Sequence, residues 1–376
     1  MSVYLDNAAT TKPCAEAVAA VLDAVTENFG NPSSLHKAGL NAQLAVDRAR
    51  KIIADSIGAD SGEIYFTSGA TESNNLALRG SVGAYGKRKR KIIISAVEHA
   101  SIDETTSALE KQEFEVIRIS PRDDGQFRAE DFVNACDENT CIISIMLVNN
   151  ETGHILPVGD VFKSVKRRFP EIVTHCDCVQ GYMKIPVRVN SLYADMVSLS
   201  GHKVHAVKGV GVLYIKKGVR VIPTVTGGHQ EKGIRSGTES VPLISAFGSA
   251  VEKYVHTIKE RYEKVSALKT HLLERLAEID GVTVNSPENA SPYVVNISAG
   301  GKRSEIMLHF LEQKEIYVSS GSACSKGQQS GVLEQFGVRG KNADSAVRIS
   351  MTSETTTEEI DTFADALREG IEKIRS

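Results

Sequence analysis

Three things are scarce in this sequence: net charge, long apolar runs and closely paired cysteines. The formal net charge is −3, which argues against a general affinity for nucleic acid or for an anionic membrane, since both attract basic surfaces. The basic cluster Lys87-Arg-Lys-Arg-Lys91 stands alone and reads as a solvated loop between a helix and a strand. No stretch reaches about 18 consecutive apolar residues, so no membrane span is expected. The opening residues Met1-Ser-Val-Tyr-Leu-Asp-Asn lack the basic-then-apolar pattern of a signal peptide, and a cytoplasmic location is the expectation. Cysteines fall at 14, 136, 141, 176, 178 and 324 with no CxxC pair, so a disulfide framework is not expected. Internal repeats, low-complexity tracts and long linkers are missing too.

What is present is an ordinary globular composition, 41% hydrophobic and 24% charged, in 376 residues, more than one compact core usually holds. Two domains are therefore expected. Seven short apolar runs alternate with helical patterns: Glu63 to Thr67, Lys91 to Ser95, Glu115 to Ile119, Cys141 to Val148, Ile172 to Cys176, Met196 to Leu199 and Val210 to Ile215. Most are continuously apolar, which suits strands covered on both faces. Strands separated by helices read as an α/β fold with a mostly parallel seven-stranded sheet, whose ligands gather at the carboxyl ends of the strands.

The pattern changes after the sheet. From Val251 to about Asp280 apolar residues recur every three or four positions, which predicts one long amphipathic helix leading out of the large domain. Beyond it a strand (Tyr293 to Ser298), a helix (Ser304 to Glu315), another strand and a last helix from about Thr357 make a small α+β domain. Thr356 and Glu359 are spaced as a capping box for that helix. The domains are placed at 13–255 (large) and at 1–12 with 256–376 (small).

The chemistry lies at the strand ends. After the first run comes Ser68-Gly-Ala-Thr-Glu-Ser-Asn-Asn, small residues opening a helix, whose N-terminus and Thr71 hydroxyl suit a phosphate. An ordinary capped helix start has the same appearance. Glu98-His99 follows the second run, and His99 could stack on a planar ligand, move a proton or be a satisfied polar residue. Asn149-Asn-Glu-Thr-Gly closes the fourth run. In His175-Cys-Asp-Cys-Val-Gln the alternation of a strand sends Cys176 and Cys178 one way and His175 and Asp177 the other, so no closed metal site forms there. A carboxylate at a buried strand end needs a cationic partner, and a protonated pyridine nitrogen serves. Finally Ser200-Gly-His-Lys203 sets one lysine just past an apolar strand, where lost solvation favours the neutral, nucleophilic amine. Phosphate anchor, ring-nitrogen carboxylate and Schiff-base lysine are the parts that pyridoxal phosphate requires.

These residues resemble the cysteine desulfurases of the NifS/IscS-like group, within the class V aminotransferase fold. The likeness runs almost end to end, through Tyr4-Leu-Asp-Asn-Ala-Ala-Thr-Thr, Phe66-Thr-Ser-Gly-Ala-Thr-Glu-Ser, Val97-Glu-His, Val148-Asn-Asn-Glu-Thr-Gly, Asp177-Cys-Val-Gln, Ser200-Gly-His-Lys, Arg235-Ser-Gly-Thr and Ser319-Ser-Gly-Ser-Ala-Cys324. It implies the aspartate-aminotransferase-like fold of pyridoxal 5'-phosphate-dependent transferases, with Lys203 as the Schiff-base lysine that also moves the substrate Cα proton. Asp177 would pair with the ring nitrogen, His99 would stack on the ring and Gln180 would bond its phenolic oxygen. Ala70, Thr71, Ser200 and His202 would hold the phosphate, with Thr238 reaching the phosphate of the neighbouring subunit in a homodimer with shared active sites. Asn150 and Arg348 would bind the carboxylate of L-cysteine. Cys324, on a mobile loop at about 320–332, would accept the sulfur as a persulfide and pass it to an acceptor protein, for iron–sulfur cluster assembly or another transfer. Neither a metal, nucleic acid nor a membrane is expected as a partner. The same fold also serves selenocysteine lyases, cystine lyases and aminotransferases, which stay open as alternatives, as does a non-catalytic sulfur carrier. Three departures from the usual pattern stand out: a shortened segment after Cys324, Ala206-Val-Lys-Gly after the lysine, and His229 in place of a turn glycine.

Overall fold

Strands with no polar face can only lie in the middle of a covered sheet, and the structure puts them there. The computed structural model describes residues 2–320 and 331–374. Its strands are β1 (Val3–Tyr4), β2 (Ile64–Thr67), β3 (Lys91–Ser95), β4 (Glu115–Ile119), β5 (Thr140–Met146), β6 (Val173–Asp177), β7 (Met196–Ser200), β8 (Gly211–Ile215), β9 (Val282–Val284), β10 (Val294–Ala299), β11 (Ile316–Tyr317) and β12 (Ala346–Ser350). Seven of them form one sheet in the order β2-β8-β7-β6-β5-β3-β4. Five neighbours, β7 through β4, run parallel, while β8 runs antiparallel to both β7 and β2. Every residue of β5, β6, β7 and β8 is buried.

The helices α1 (Ala15–Thr26), α2 (Lys37–Ile57), α3 (Ala70–Tyr85) and α4 (Ala100–Glu110) begin the cover. Because the crossovers all return the chain in one direction, Thr67, Ser95, Met146, Asp177 and Ser200 end their strands at one edge. Gly211 begins β8 between Thr67 and Ser200, and a side chain there would meet the Gly69 backbone at 2.6 Å. A glycine is what lets the loop before α3 lie on the sheet.

A second body of structure follows. Strands β9, β10 and β12 form an antiparallel sheet in the order β12-β10-β9, and β1 pairs with β11. Val3 and Leu5 share a hydrophobic core with Val265, Leu272, Ile297 and Phe363, apart from the core under the large sheet. The last helix, Thr357–Lys373, starts with the capping box expected of Thr356 and Glu359.

The single helix expected from Val251 to about Asp280 is corrected to two. Helix Val241–Tyr254 stops, and helix Ile258–Ala277 starts anew. The Thr257 hydroxyl and backbone N–H both donate to the Tyr254 carbonyl at 3.2 Å, which ends the first helix with a turn. The apolar period carries through this break, so it is invisible to periodicity. His229 holds φ +65°, a left-handed conformation that explains why glycine is the usual residue there. Among the described residues, no helix is long and apolar enough to cross a membrane.

Candidate active site

Where the parallel strands end, the structure has a cavity of about 1020 Å³. Ala70, Thr71, His99, Asn150, Asp177, Gln180, Ser200, His202, Lys203 and Arg348 all line it. Thr238 does not, and sits exposed on the loop before helix Val241–Tyr254. Cys324 and most of the segment expected to be mobile lie outside the described residues.

Helix α3 opens onto the cavity. Its first internal bond runs from Ser73 N to Gly69 O, so the N–H groups of Ala70 and Thr71 precede the ladder and point out of it. The carboxylate of Glu72, in the same turn, is occupied by Ser68 N at 2.7 Å and by Arg235 at 2.8 Å. Lys203 leaves the short turn that follows β7, and its Nζ donates to the carbonyls of Ala8 (2.6 Å) and Ala9 (2.7 Å). Thus the segment around Ala8, distant in sequence, forms one wall.

Asp177 ends β6 and is buried. Its Oδ2 accepts from Asn74 Nδ2 at 2.8 Å and its Oδ1 from Val179 N at 3.0 Å, so its carboxylate is held rigidly at the sheet edge. His99 caps α4: Nδ1 accepts from Ser101 N at 3.1 Å, which places the ring hydrogen on Nε2. Burial lowers its pKa, an effect opposed by Asp177 and reinforced by Lys203, so the imidazole is neutral. Burial also pushes His202 down to about 4, aided by Lys203 and Lys208. Gln180 has a fixed amide, since Oε1 accepts from Lys184 Nζ at 2.8 Å and Nε2 donates to Ala8 O at 2.9 Å.

The two asparagines after β5 part company. Asn149 is spent on structure, donating to Val97 O and accepting from Glu151 N and Thr152 N. Asn150 lines the cavity, and its carbonyl accepts from Arg348 Nη1 at 3.1 Å. Arg348 is buried on β12, its Nη2 bonded to Asp6 Oδ1 at 2.7 Å, while its Nε has no partner. The expected alternation at β6 also holds: Cys176 and Cys178 share a face with sulfurs 3.4 Å apart, whereas His175 faces Ser144 and Ser198. Among the described residues no group of side chains is arranged to hold a metal ion.

Residues 3–363 match the family model for class-V aminotransferases. The chain belongs to the class-V aminotransferase family. Within it, this class-V chain is 39% identical over 372 residues to a NifS/IcsS protein homolog of Lactobacillus delbrueckii subsp. bulgaricus, covering 98% of this chain and 96% of the other. It is 38% identical over 378 residues to a cysteine desulfurase IscS of Methanosarcina thermophila, covering 100% and 93%. A solved NifS-like protein superimposes with a TM-score of 0.94 at 36% identity, over the full length of both chains. The fold expected from the sequence is therefore that of this family, and its enzymes depend on pyridoxal phosphate. The cavity fits that cofactor. A helix N-terminus with Thr71, Ser200 and His202 suits its phosphate, Asp177 its ring nitrogen and the amine of Lys203 its aldehyde.

Several residues that line or support the site carry no signal in the sequence. Ala8 and Ala9 contribute backbone carbonyls, which no side-chain pattern reveals. Asn74 lies within the segment from Ser68 to Asn75 but supports Asp177 from inside α3. Asp6 and Lys184 act on Arg348 and Gln180 through contacts made only on folding.

Proposed function

We propose that this enzyme takes sulfur from L-cysteine, giving L-alanine and a persulfide on Cys324 that passes to an acceptor protein for iron–sulfur cluster assembly or another sulfur transfer. The observation that carries this is the convergence of Lys203, Asp177, the α3 N-terminus and Arg348 on one cavity. The cysteine desulfurases among its relatives point the same way. Bound pyridoxal phosphate supplies an electron sink for negative charge at the substrate Cα. Arg348 and Asn150 orient the substrate carboxylate, and Lys203 Nζ takes the Cα proton. Asp177 would hold the ring nitrogen in its protonated form, and His99, whose pKa burial lowers, would stack on the ring. The Cys324 thiolate attacks the substrate sulfur; the new S–S bond forms as the Cβ–S bond breaks, and protonation of the carbon completes alanine.

Both flanks of the Cys324 segment support its access to the cavity. Ser319 pairs with Arg348 through two backbone bonds, and Gly331 and Val332 line the cavity. Five residues from Ser319 span at most about 18 Å, enough to carry a side chain across such a site. A homodimer with Thr238 serving the neighbouring site accords with the exposed apolar row Val18, Leu22, Val25 and Phe29 on and after α1, joined by Leu35, Leu40 and Leu44. The division into 13–255 and 1–12 with 256–376 accords with a core around Leu5, Val265, Ile297 and Phe363 that is separate from the two cores packed on the large sheet. A cytoplasmic site of action suits five described cysteines that are all free and buried.

The test is to incubate purified protein with L-cysteine and a reductant, measure alanine and sulfide, and repeat with Cys324→Ala. Products from the wild type alone support the reading. Equal turnover in both removes Cys324 from the mechanism, and a keto acid in place of alanine identifies an aminotransferase.

A further inference from the structure

Glu98 belongs to the Val97-Glu-His segment, yet none of the steps above uses it. Its side chain is buried and lines the cavity. Oε1 accepts from Ser95 Oγ at 2.5 Å and from Met146 N at 2.8 Å, tying the end of β3 to the end of β5. Val97 N donates to Ser95 Oγ, which leaves that hydroxyl's hydrogen for Glu98. Oε2 is buried without any partner, and Glu98 forms no ion pair among the described residues.

The surroundings are rich in acceptors. Met146, whose N–H holds Glu98, is the register partner of Asp177, so the two carboxyl groups flank the end of β5 from either side, and the charge of Asp177 bears on Glu98. Asn74 spends its donor on Asp177 and Ser101, leaving its Oδ1 without a donor. The other titratable groups nearby are Cys176 on β6, held as a thiol by burial, His99 next along the chain, and Lys203 beyond β7. Two carboxylates on either side of the end of β5, neither in an ion pair among the described residues, cannot both stay ionised out of water.

We infer that Glu98 stands in the site as a neutral carboxylic acid with its hydrogen on Oε2, a positioning residue that clamps β3 to β5 and leaves the ring-nitrogen end of the cavity to the single charge of Asp177. Its role toward the cofactor rests on the reading above; its protonation does not. Burial is the main cause that pushes this carboxyl up to about 8, with the bonds from Ser95 and Met146 pulling down and the charge of Asp177 adding to the rise. Ionisation above that pH adds a second negative charge to the cavity, in addition to that of Asp177, toward a cofactor whose phosphate makes its overall charge negative.

The test uses protein labelled with carbon-13 glutamate, with and without cofactor. The infrared difference between pH 7 and pH 9.5 in the wild type contains a carboxylic-acid carbonyl band that Glu98→Gln lacks. The folded chain keeps a proton that the unfolded chain releases between the ordinary glutamate range and pH 8. The wild type therefore loses melting temperature relative to Glu98→Gln, by several degrees, as pH rises through that window, and the two run parallel above it. Release of bound pyridoxal phosphate quickens above pH 8 in the wild type and not in the variant. No acid band at pH 7, or a melting difference constant across the window, overturns the inference. Equal quickening of release in both proteins overturns the role toward the cofactor. If Glu98→Gln does not fold, the band in the wild type decides, titrating near pH 8 or missing altogether. A protein that never binds the cofactor defeats the functional reading and leaves the infrared result standing.

Discussion

Asp6 and Arg348 stand 342 positions apart in the chain and meet at 2.7 Å, carboxylate to guanidinium, where Arg348 lines the cavity. The backbone brings them together: Ser350 N donates to Leu5 O and Asp6 bridges to Ser350, so the first residues of the chain lie alongside β12. With Nη2 on Asp6 and Nη1 on the Asn150 carbonyl, the guanidinium plane is fixed and its Nε is the donor without a protein partner.

Arg348→Lys keeps the charge and loses the planar fork. KM for L-cysteine should rise roughly 10- to 100-fold, the worth of one charge-assisted hydrogen bond, with a smaller effect on kcat. Steady-state kinetics check this, and an unchanged KM removes Arg348 from carboxylate binding.

Lys203→Ala removes the amine that holds the aldehyde and moves the Cα proton. The purified variant should lose its yellow colour on dialysis and release no alanine. Asp177→Asn should stay coloured while kcat falls roughly 10- to 100-fold, since one charge-assisted bond to the ring nitrogen becomes a neutral one. Absorbance and alanine assays separate the two. Full turnover in Lys203→Ala would end the proposal.

The fold has a buried ion pair outside the site. Arg50 bonds both carboxylate oxygens of Glu231 at 2.7 and 2.8 Å and also the Ile64 carbonyl, and Glu231 accepts from Phe66 N, so the pair locks α2 to the edge strand β2. Arg50→Ala strands a buried carboxylate and should cost about 3–5 kcal/mol, whereas the double variant Arg50→Met/Glu231→Gln should cost clearly less. Chemical denaturation of the three proteins measures both.

Lys184 gives a pH dependence of opposite sign to that of Glu98. It is buried and bonded to Gln180, and burial lowers its pKa to about 7, helped by Lys203, Arg261 and Arg348. Between pH 7 and the ordinary lysine range the unfolded chain binds a proton that the folded chain does not, so this residue makes stability rise with pH there and withholds it below pH 7. Lys184→Met should therefore stabilise the protein at pH 6 more than at pH 10, by up to a few kcal/mol between the two. Melting curves at the two pH values decide, and an equal effect at both rejects the shift.

Much of the site could be read before any coordinates, because its residues follow strands that are apolar on both faces. Lys203, Asp177, His99 and Asn150 each come just after such a run, and a parallel sheet sends those ends to one edge. The small domain's strands and the capping box at Thr356 were likewise local signals. The break at Thr257 was not, because hydrophobic spacing continues across it and only a hydroxyl bonding back to Tyr254 marks it.

Local pattern by itself determined the elements, their order and the chemical kind of each functional group, since alternation, capping and the lysine, carboxylate and small-residue motifs act within a few neighbours. Tertiary structure alone decided which of those groups touch: Asp6 on Arg348, Ala8 on both Lys203 and Gln180, Glu98 on the Met146 backbone. These contacts join segments far apart in the chain, and their energies come from burial and geometry that exist only once the sheet and the small domain have closed around the cavity.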